Sequence, residues 1–331
     1  MENILIFRTD RVGDLIYTCP AIFTIKQYFK NSQITLITSD KNYDYAKSLN
    51  IFHEVINFPK RNIVRKAKFL INLSKKEFNY IFVLDGKERS ILSTSLIKAN
   101  TKVALCPKVN FYYKLLNIKF IEDNKKKNLN EPFQEALYYC KINTKISNYD
   151  FVSKKIDNKF SSNIPIKNYE HIHLDEKWVS SLYIKTYTNI CPNYDEFIDF
   201  LNILSKKNHI LITTGLRDFE LINELKNRFF EKKSNNIFFK KNFEKLIYFI
   251  HKPTFDDIES LLRNTRILIS CHGAITHASN SFNVKKIDIL EHVKLSFYKK
   301  FTSYLDDYHP IYRSNFVLLR KEISKKIQPS I

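Results

Sequence analysis

Apolar and polar positions along the first half of the chain follow two periods. Short, mainly apolar runs, Ile4 to Phe7, Ile34 to Thr38, Val55 to Phe58 and Tyr80 to Leu84, read as strands. Between them, Pro20 to Phe29 and Ile63 to Leu73 carry apolar residues at helical spacing. Strands that are apolar without alternation are buried on both faces, so the pattern predicts a parallel sheet covered by helices. From Asn117 to Asn168 the periodicity weakens and Lys, Asn, Ser and Pro accumulate, including the run Lys125-Lys126-Lys127 and the stretch Pro165-Ile166-Lys167-Asn168. A domain boundary belongs there.

The second half repeats the alternation. His171 to Leu174, Thr188 to Cys191, Ile210 to Thr214, Ile267 to Ser270 and Lys286 to Leu290 read as strands, and Phe197 to Lys206 and Phe219 to Phe230 as helices. The expected architecture is α/β, with two Rossmann-like domains over residues 1–165 and 166–331 that face one another across a cleft. Ligands of such sheets bind outside the carboxyl ends of the strands. The terminal segment Asn315 to Ile327 is expected to pack back on the first domain.

Composition narrows the classes of function. The chain has 331 residues, 44% hydrophobic, enough for two buried cores. Its 54 Lys+Arg against 34 Asp+Glu leave a formal charge of +20, which fits an anionic partner without choosing among phosphate, nucleic acid and an acidic membrane surface. Part of that charge is a bias toward lysine spread over the whole chain. With no clustered basic stripe interleaved with aromatics, nucleic acid is not the expected partner. The five cysteines, Cys19, Cys106, Cys140, Cys191 and Cys271, form no CxxC pair, so neither a disulfide framework nor a zinc site is expected. Met1 leads directly into the first strand with no signal-like segment, and no run of about 18 apolar residues occurs. A cytoplasmic protein is expected, with peripheral contact at the inner face of the cytoplasmic membrane left open.

Four segments carry candidate chemistry. After the first strand comes Arg8-Thr9-Asp10-Arg11-Val12-Gly13-Asp14, followed by Thr18-Cys19-Pro20-Ala21. A polar turn opening a helix offers backbone N–H groups to phosphate, and Asp14 is placed either to cap the helix or to act as a base. At the start of the second half, His173-Leu174-Asp175-Glu176-Lys177-Trp178 holds the only tryptophan. Thr213-Thr214-Gly215-Leu216-Arg217-Asp218-Phe219-Glu220 ends a strand in a glycine turn, where Glu220 either contacts a ribose or favours the first helical turn. The fourth segment, Ser270-Cys271-His272-Gly273-Ala274-Ile275-Thr276-His277, is a small-residue turn opening a helix and suited to an anion. His272 and His277 stand at a spacing that matches no zinc motif, so no metal is expected. GxGxxG and GxxxxGK[ST] are both absent, which removes the usual dinucleotide and P-loop signatures.

The first segment resembles the amino-terminal signature of glycosyltransferase family 9, the ADP-heptose:lipopolysaccharide heptosyltransferases, in its strand, Arg, polar loop, Gly-Asp and Thr-x-Pro-Ala. The fourth resembles that family's Asp-Thr-Gly-x-Thr/Ser-His stretch, and the second and third match more loosely. The resemblance implies a GT-B fold and metal-independent, inverting transfer of a sugar, with a heptose carried by ADP as the donor. It implies no cofactor, since the nucleotide sugar enters as a substrate. Asp14 would be the catalytic base. Thr9, Gly13, Lys177, Glu220 and the run His272, Gly273, Ala274, Ile275, Thr276 and His277 would bind the donor. Arg8 and Arg11 would bind an anionic, lipid-linked glycan acceptor such as lipopolysaccharide core. His272 departs from the family, which carries an aspartate at the matching position. A nucleotide-binding or regulatory module of the same fold, without turnover, is the alternative.

Overall fold

The computed structural model describes residues 1–60, 62–123, 128, 130–146 and 159–327, so the Lys125-Lys126-Lys127 run lies outside the described residues. The chain divides into two compact units, Met1–Lys155 and Ile156–Ile331. In the first, the order is β1 (Asn3–Phe7), α1 (Val12–Tyr28), β2 (Gln33–Thr38), α2 (Tyr43–Ser48), β3 (Glu54–Asn57), α3 (Ile63–Ser74), β4 (Glu77–Val83), α4 (Glu88–Ser95), β5 (Lys98–Cys106), β6 (Lys119–Glu122) and α5 (Asn130–Tyr139). The six strands form one sheet in the order β3-β2-β1-β4-β5-β6, and every pairing is parallel. Ile4, Leu5, Ile6 and Phe7 are wholly buried, as expected of a central strand covered on both faces.

The second unit runs β7 (Tyr169–Leu174), α6 (Tyr194–Ser205), β8 (Ile210–Thr214), α7 (Glu220–Glu224), β9 (Glu231–Lys232), β10 (Ile237–Asn242) and β11 (Lys245–Ile250). It continues α8 (Phe255–Leu262), β12 (Thr265–Cys271), α9 (Ala274–Ala278), β13 (Lys285–Leu290), α10 (Leu295–Thr302), β14 (Tyr308–Tyr312) and α11 (Phe316–Ile327). Its eight strands are ordered β14-β13-β12-β7-β8-β11-β10-β9. The pairings are parallel except for the antiparallel β9-β10-β11 edge.

Three local expectations change. Residues 159–165, assigned to the first domain, pack in the second: Ile164 is buried in a cluster with Leu211 and Tyr248, and the Ser161 N–H donates to Ser260 Oγ at 3.2 Å. Thr188 to Cys191 is irregular, because the N–H groups of Ile190 and Cys191 both go to the Trp178 carbonyl, at 3.2 and 3.1 Å, and make no ladder. The buried face of α11 is spent in the second unit's own core, where Phe316 meets Trp178, Phe197 and Phe200.

Candidate functional site

Each sheet reverses its strand order next to its first strand, and the carboxyl ends of the strands at such a reversal leave a crevice for ligands. In the first unit the reversal falls between β1 and β4, where Phe7 pairs with Val83. The residues that follow, Arg8 to Asp14 from β1 and Leu84 to Arg89 from β4, therefore meet. Asp85 joins the two loops: it accepts from the Thr9 N–H at 3.2 Å, the Thr9 hydroxyl at 2.6 Å, the Ser90 hydroxyl at 2.7 Å and the Lys87 N–H at 3.1 Å. Lys87 Nζ donates to the Thr9 carbonyl and ion-pairs with Asp10. A cavity of about 300 Å³ opens here, lined by Thr9, Asp10, Arg11, Asp14, Ser39, Lys41, Lys60, Lys87 and Arg89.

Asp14 is both a helix-capping residue and a cavity residue. Its Oδ2 accepts the Arg11 N–H at 3.0 Å, which starts α1 before the glycine, and its Oδ1 accepts from the Tyr17 hydroxyl at 3.1 Å. The carboxylate still keeps 34% of its side-chain surface exposed. Gly13 thus lies inside the first helical turn and not in a preceding loop.

Arg8 does not fit its expected role toward an acceptor. It is buried, with Nε donating to the Asp14 carbonyl at 3.0 Å, its other nitrogens donating to the Leu84 carbonyl and the Tyr17 hydroxyl, and Asp10 3.4 Å away. Burial alone would lower its pKa; Tyr17, Asp10 and Asp14 reverse that and keep it charged. A guanidinium with all its donors directed inward is a strut for the loop. Thr9 is likewise buried, its hydroxyl held between Asp85 and Arg89. The cations open to the cavity are instead Arg11, Lys41, Lys60, Lys87 and Arg89. None of the last four follows a recognisable motif. Their signal is position, just past β2, β3 and β4.

In the second unit the reversal falls between β7 and β12, where Ser270 pairs with His173. The loop after β7 carries Asp175 and Lys177, and the loop after β12 carries His272 and Gly273. Lys177 is anchored by Asp175, whose Oδ1 accepts the Lys177 N–H at 3.1 Å and whose Oδ2 pairs with its Nζ. Burial works against the ammonium, but Asp175 outweighs it and raises the lysine's pKa. A Cβ at Gly273 would stand 2.9 Å from Lys177 Nζ; glycine is what lets the ammonium lie against the turn. Below the pair, His173 and His171 both hydrogen-bond the Thr213 hydroxyl, at 2.9 and 2.7 Å. Burial and the nearby Lys177 charge push His173 down to about 3, so the ring is neutral and its 3.7 Å approach to Asp175 is no ion pair.

The expected donor turn separates into exposed and buried parts. Gly273 and Ala274 are half-buried; the Gly273 N–H donates to Thr276 Oγ1 at 3.3 Å and the Thr276 N–H to the Gly273 carbonyl at 3.1 Å, so the helix-start amides left by position are those of Ala274 and Ile275. Ile275, Thr276 and His277 are buried, so their side chains build the turn. Thr276 donates to Asp288 Oδ1 at 3.2 Å, and His277 Nδ1 is bonded by the Tyr304 hydroxyl. His272 pairs through Nδ1 with Asp288 Oδ2 at 2.7 Å, and Tyr308 donates to the same oxygen at 2.8 Å. Burial, with Asp288 alongside, raises the pKa of Tyr308 and keeps it a donor. His272, which stands where the resemblance places an aspartate, thus has a carboxylate partner one strand over, on β13. Glu220 is exposed at the start of α7. The acid that joins strand ends there is Asp218, bonded by His251 Nε2 at 2.8 Å and Lys252 Nζ at 2.9 Å. Its partial burial is outweighed by those two bonds, which lower its pKa. Among the described residues no group of three or more His, Cys, Asp and Glu converges on a metal position.

This architecture, two mainly parallel sheets each with polar loops at its reversal point, is the GT-B fold. An E. coli heptosyltransferase WaaC solved with ADP superimposes with a TM-score of 0.69 at 13% identity, covering 98% of this chain and 99% of that one. A glycosyl transferase family 9 structure from Veillonella parvula gives 0.65 at 12% identity, covering 100% and 90%. The fold is not confined to transferases: a UDP-GlcNAc 2-epimerase from Methanocaldococcus jannaschii gives 0.57 at 13% identity, covering 99% and 92%. No family model matches the chain, and no curated protein matches it by sequence.

Proposed function

We propose that the protein is a glycosyltransferase that moves a sugar from a nucleoside diphosphate to an anionic acceptor. The observation that carries this reading is the meeting of Lys177 with the Gly273 turn at the second unit's reversal point, a cation and a set of helix-start amides where a diphosphate would sit. Asp14, a carboxylate about one third exposed in a cavity lined by five cations, takes the acceptor side. The acceptor hydroxyl gives its proton to Asp14, and its oxygen attacks the anomeric carbon as the bond to the diphosphate breaks. The electron pair leaves on a phosphate oxygen, whose charge Lys177 and the α9 amides offset, a role that a divalent cation fills in other transferases. Inversion follows from the single displacement.

A heptose from ADP-heptose and a lipopolysaccharide-core acceptor are the finer form of the proposal. A WaaC structure holding ADP-2-deoxy-2-fluoro heptose supports it, and His272 in place of an aspartate points to a changed contact with the sugar. Calorimetric titration with ADP, UDP, GDP and CDP in EDTA tests the donor. Selective ADP binding is expected; no binding to any of the four would remove the transferase reading. Asp14→Ala is expected to keep nucleotide affinity and lose transfer by a factor on the order of 10²–10⁴, and equal turnover would remove the base. Binding without product from any acceptor would leave the regulatory module, which the His272 departure favours.

A further inference from the structure

Elements α3, α4 and the single turn Phe111–Leu115 cover one face of the first unit's sheet, and each sends inner side chains into the same cluster: Leu73, Ile91 and Tyr113. They adjoin one another. Phe69 of α3 packs edge-on against Phe58 at 5.2 Å, Arg89 of α4 lies over the Phe58 ring at 5.2 Å, and the Tyr112 hydroxyl bonds Glu88. Their outer surfaces carry large apolar side chains among the polar ones. Ile63 and Val64 at the start of α3 are 81% and 75% exposed, and Ile71 follows Val64 two turns on. Leu92 and Leu96, one turn apart, form an outer stripe on α4. Phe111 and Leu115 are each 81% exposed.

The charges among these residues are mostly basic, with Glu88 at the start of α4 the one acid within α3, α4 and the Phe111 turn. Arg65 and Lys68 are exposed on α3 with Lys75 just past its end, Lys108 precedes the Phe111 turn and Lys114 lies within it, and no acid occurs between residues 60 and 76 or between 107 and 119. Lys60 and Arg89, which line the Asp14 cavity, sit just ahead of α3 and within the first turn of α4. The apolar and basic surface therefore begins at the cavity rim. Among the described residues no helix is long and apolar enough to cross a membrane.

We propose that this face docks the protein on an anionic lipid bilayer, with Phe111, Leu115, Ile63 and Val64 entering the interface and the lysines resting on acidic headgroups. Large aliphatic and aromatic tips surrounded by Lys and Arg suit a surface that is negative outside and apolar within. A protein partner of matching acidity would need apolar pockets at the same places, whereas a bilayer conforms to any arrangement. The placement deepens the acceptor reading, since a lipid-borne acceptor held at this surface would carry its headgroup to the Asp14 cavity.

The test is flotation of the full chain with phosphatidylcholine vesicles, with and without 30% phosphatidylglycerol, at low and high salt. Binding is expected to be at least 10-fold stronger to the anionic vesicles and to weaken with salt. Phe111→Ser with Leu115→Ser is expected to reduce it about 10-fold, as is Lys68→Glu with Lys75→Glu, with ADP affinity unchanged in both. Equal binding to both vesicle types, or no loss in either variant, would overturn the proposal. So would a concentration-dependent dimer that the Phe111 variant breaks while vesicles capture nothing. Vesicle binding is read without donor or acceptor, so its failure leaves the transfer reading standing, and absence of nucleotide binding leaves this one standing.

Discussion

A methyl group at Gly273 would meet the Lys177 Nζ at 2.9 Å and its Cε at 3.4 Å, whereas at Gly215 it would meet Asp175 Cβ at 2.6 Å and Cα at 3.1 Å. The first obstacle is the end of a flexible side chain and the second is backbone. Gly273→Ala is therefore expected to leave stability within about 0.5 kcal/mol, while displacing the ammonium and weakening nucleoside diphosphate binding by about 10-fold, or about 1.4 kcal/mol. Gly215→Ala is expected to cost about 1–3 kcal/mol by forcing the Asp175 loop away. Thermal melts paired with ADP titration separate the two. If Gly273→Ala binds ADP normally, Lys177 is not a phosphate ligand. Asp14 illustrates the same scale differently: one carboxylate caps α1 through Oδ2 and still presents a third of its surface to the cavity, so capping and catalysis were never exclusive.

Among the elements, α11 shows how a terminal helix that looks dispensable becomes structural. Phe316 is 3% exposed, with Phe200 edge-on at 5.5 Å and Trp178 at 6.4 Å, and Leu319 and Ile323 continue the buried stripe. Phe316→Ala is expected to cost about 3–5 kcal/mol in urea denaturation followed by tryptophan fluorescence. A loss under 1 kcal/mol would mean that the helix is a loose appendage. Its period was legible in the residues; its destination was not, because an apolar stripe states that a face is buried without stating against what. The strands β1, β2, β4, β8 and β12 were legible because burial on both faces leaves continuous apolar runs. Thr188 to Cys191 misled because four residues of mixed polarity satisfy a strand pattern without requiring a partner.

For the molecule as a whole, the buried histidines set a dependence on acid. His171, His173 and His277 all have pKa values pushed below the ordinary 6.5, by burial first and then by a neighbouring positive or titratable group. The unfolded chain takes up protons near pH 6.5 that the folded chain refuses, so their contribution to stability is complete above pH 6.5 and is lost as pH falls, toward about 3 for His173. Each costs up to about 1.4 kcal/mol per pH unit in that window. Glu170 and Asp10, both raised first by burial, work in the opposite sense, two protons against three. Urea midpoints from pH 7 to 4 should therefore fall steeply, and His171→Asn with His173→Asn should flatten the slope. A flat wild-type profile would mean that these rings are protonated in the fold.

The sequence by itself determined the α/β class, the division into two units, the polar turn between β1 and α1 and the small-residue turn at Gly273, because these follow from local period and local backbone chemistry. Tertiary structure alone decided that Arg8 is an internal strut, that Lys41, Lys60, Lys87 and Arg89 share a cavity with Asp14, and that Lys177 lies against Gly273. It also decided that the acid partnering His272 is Asp288, one strand away. Strand order brings these residues together, and strand order is set by which apolar faces pack, a property that no short stretch of residues carries.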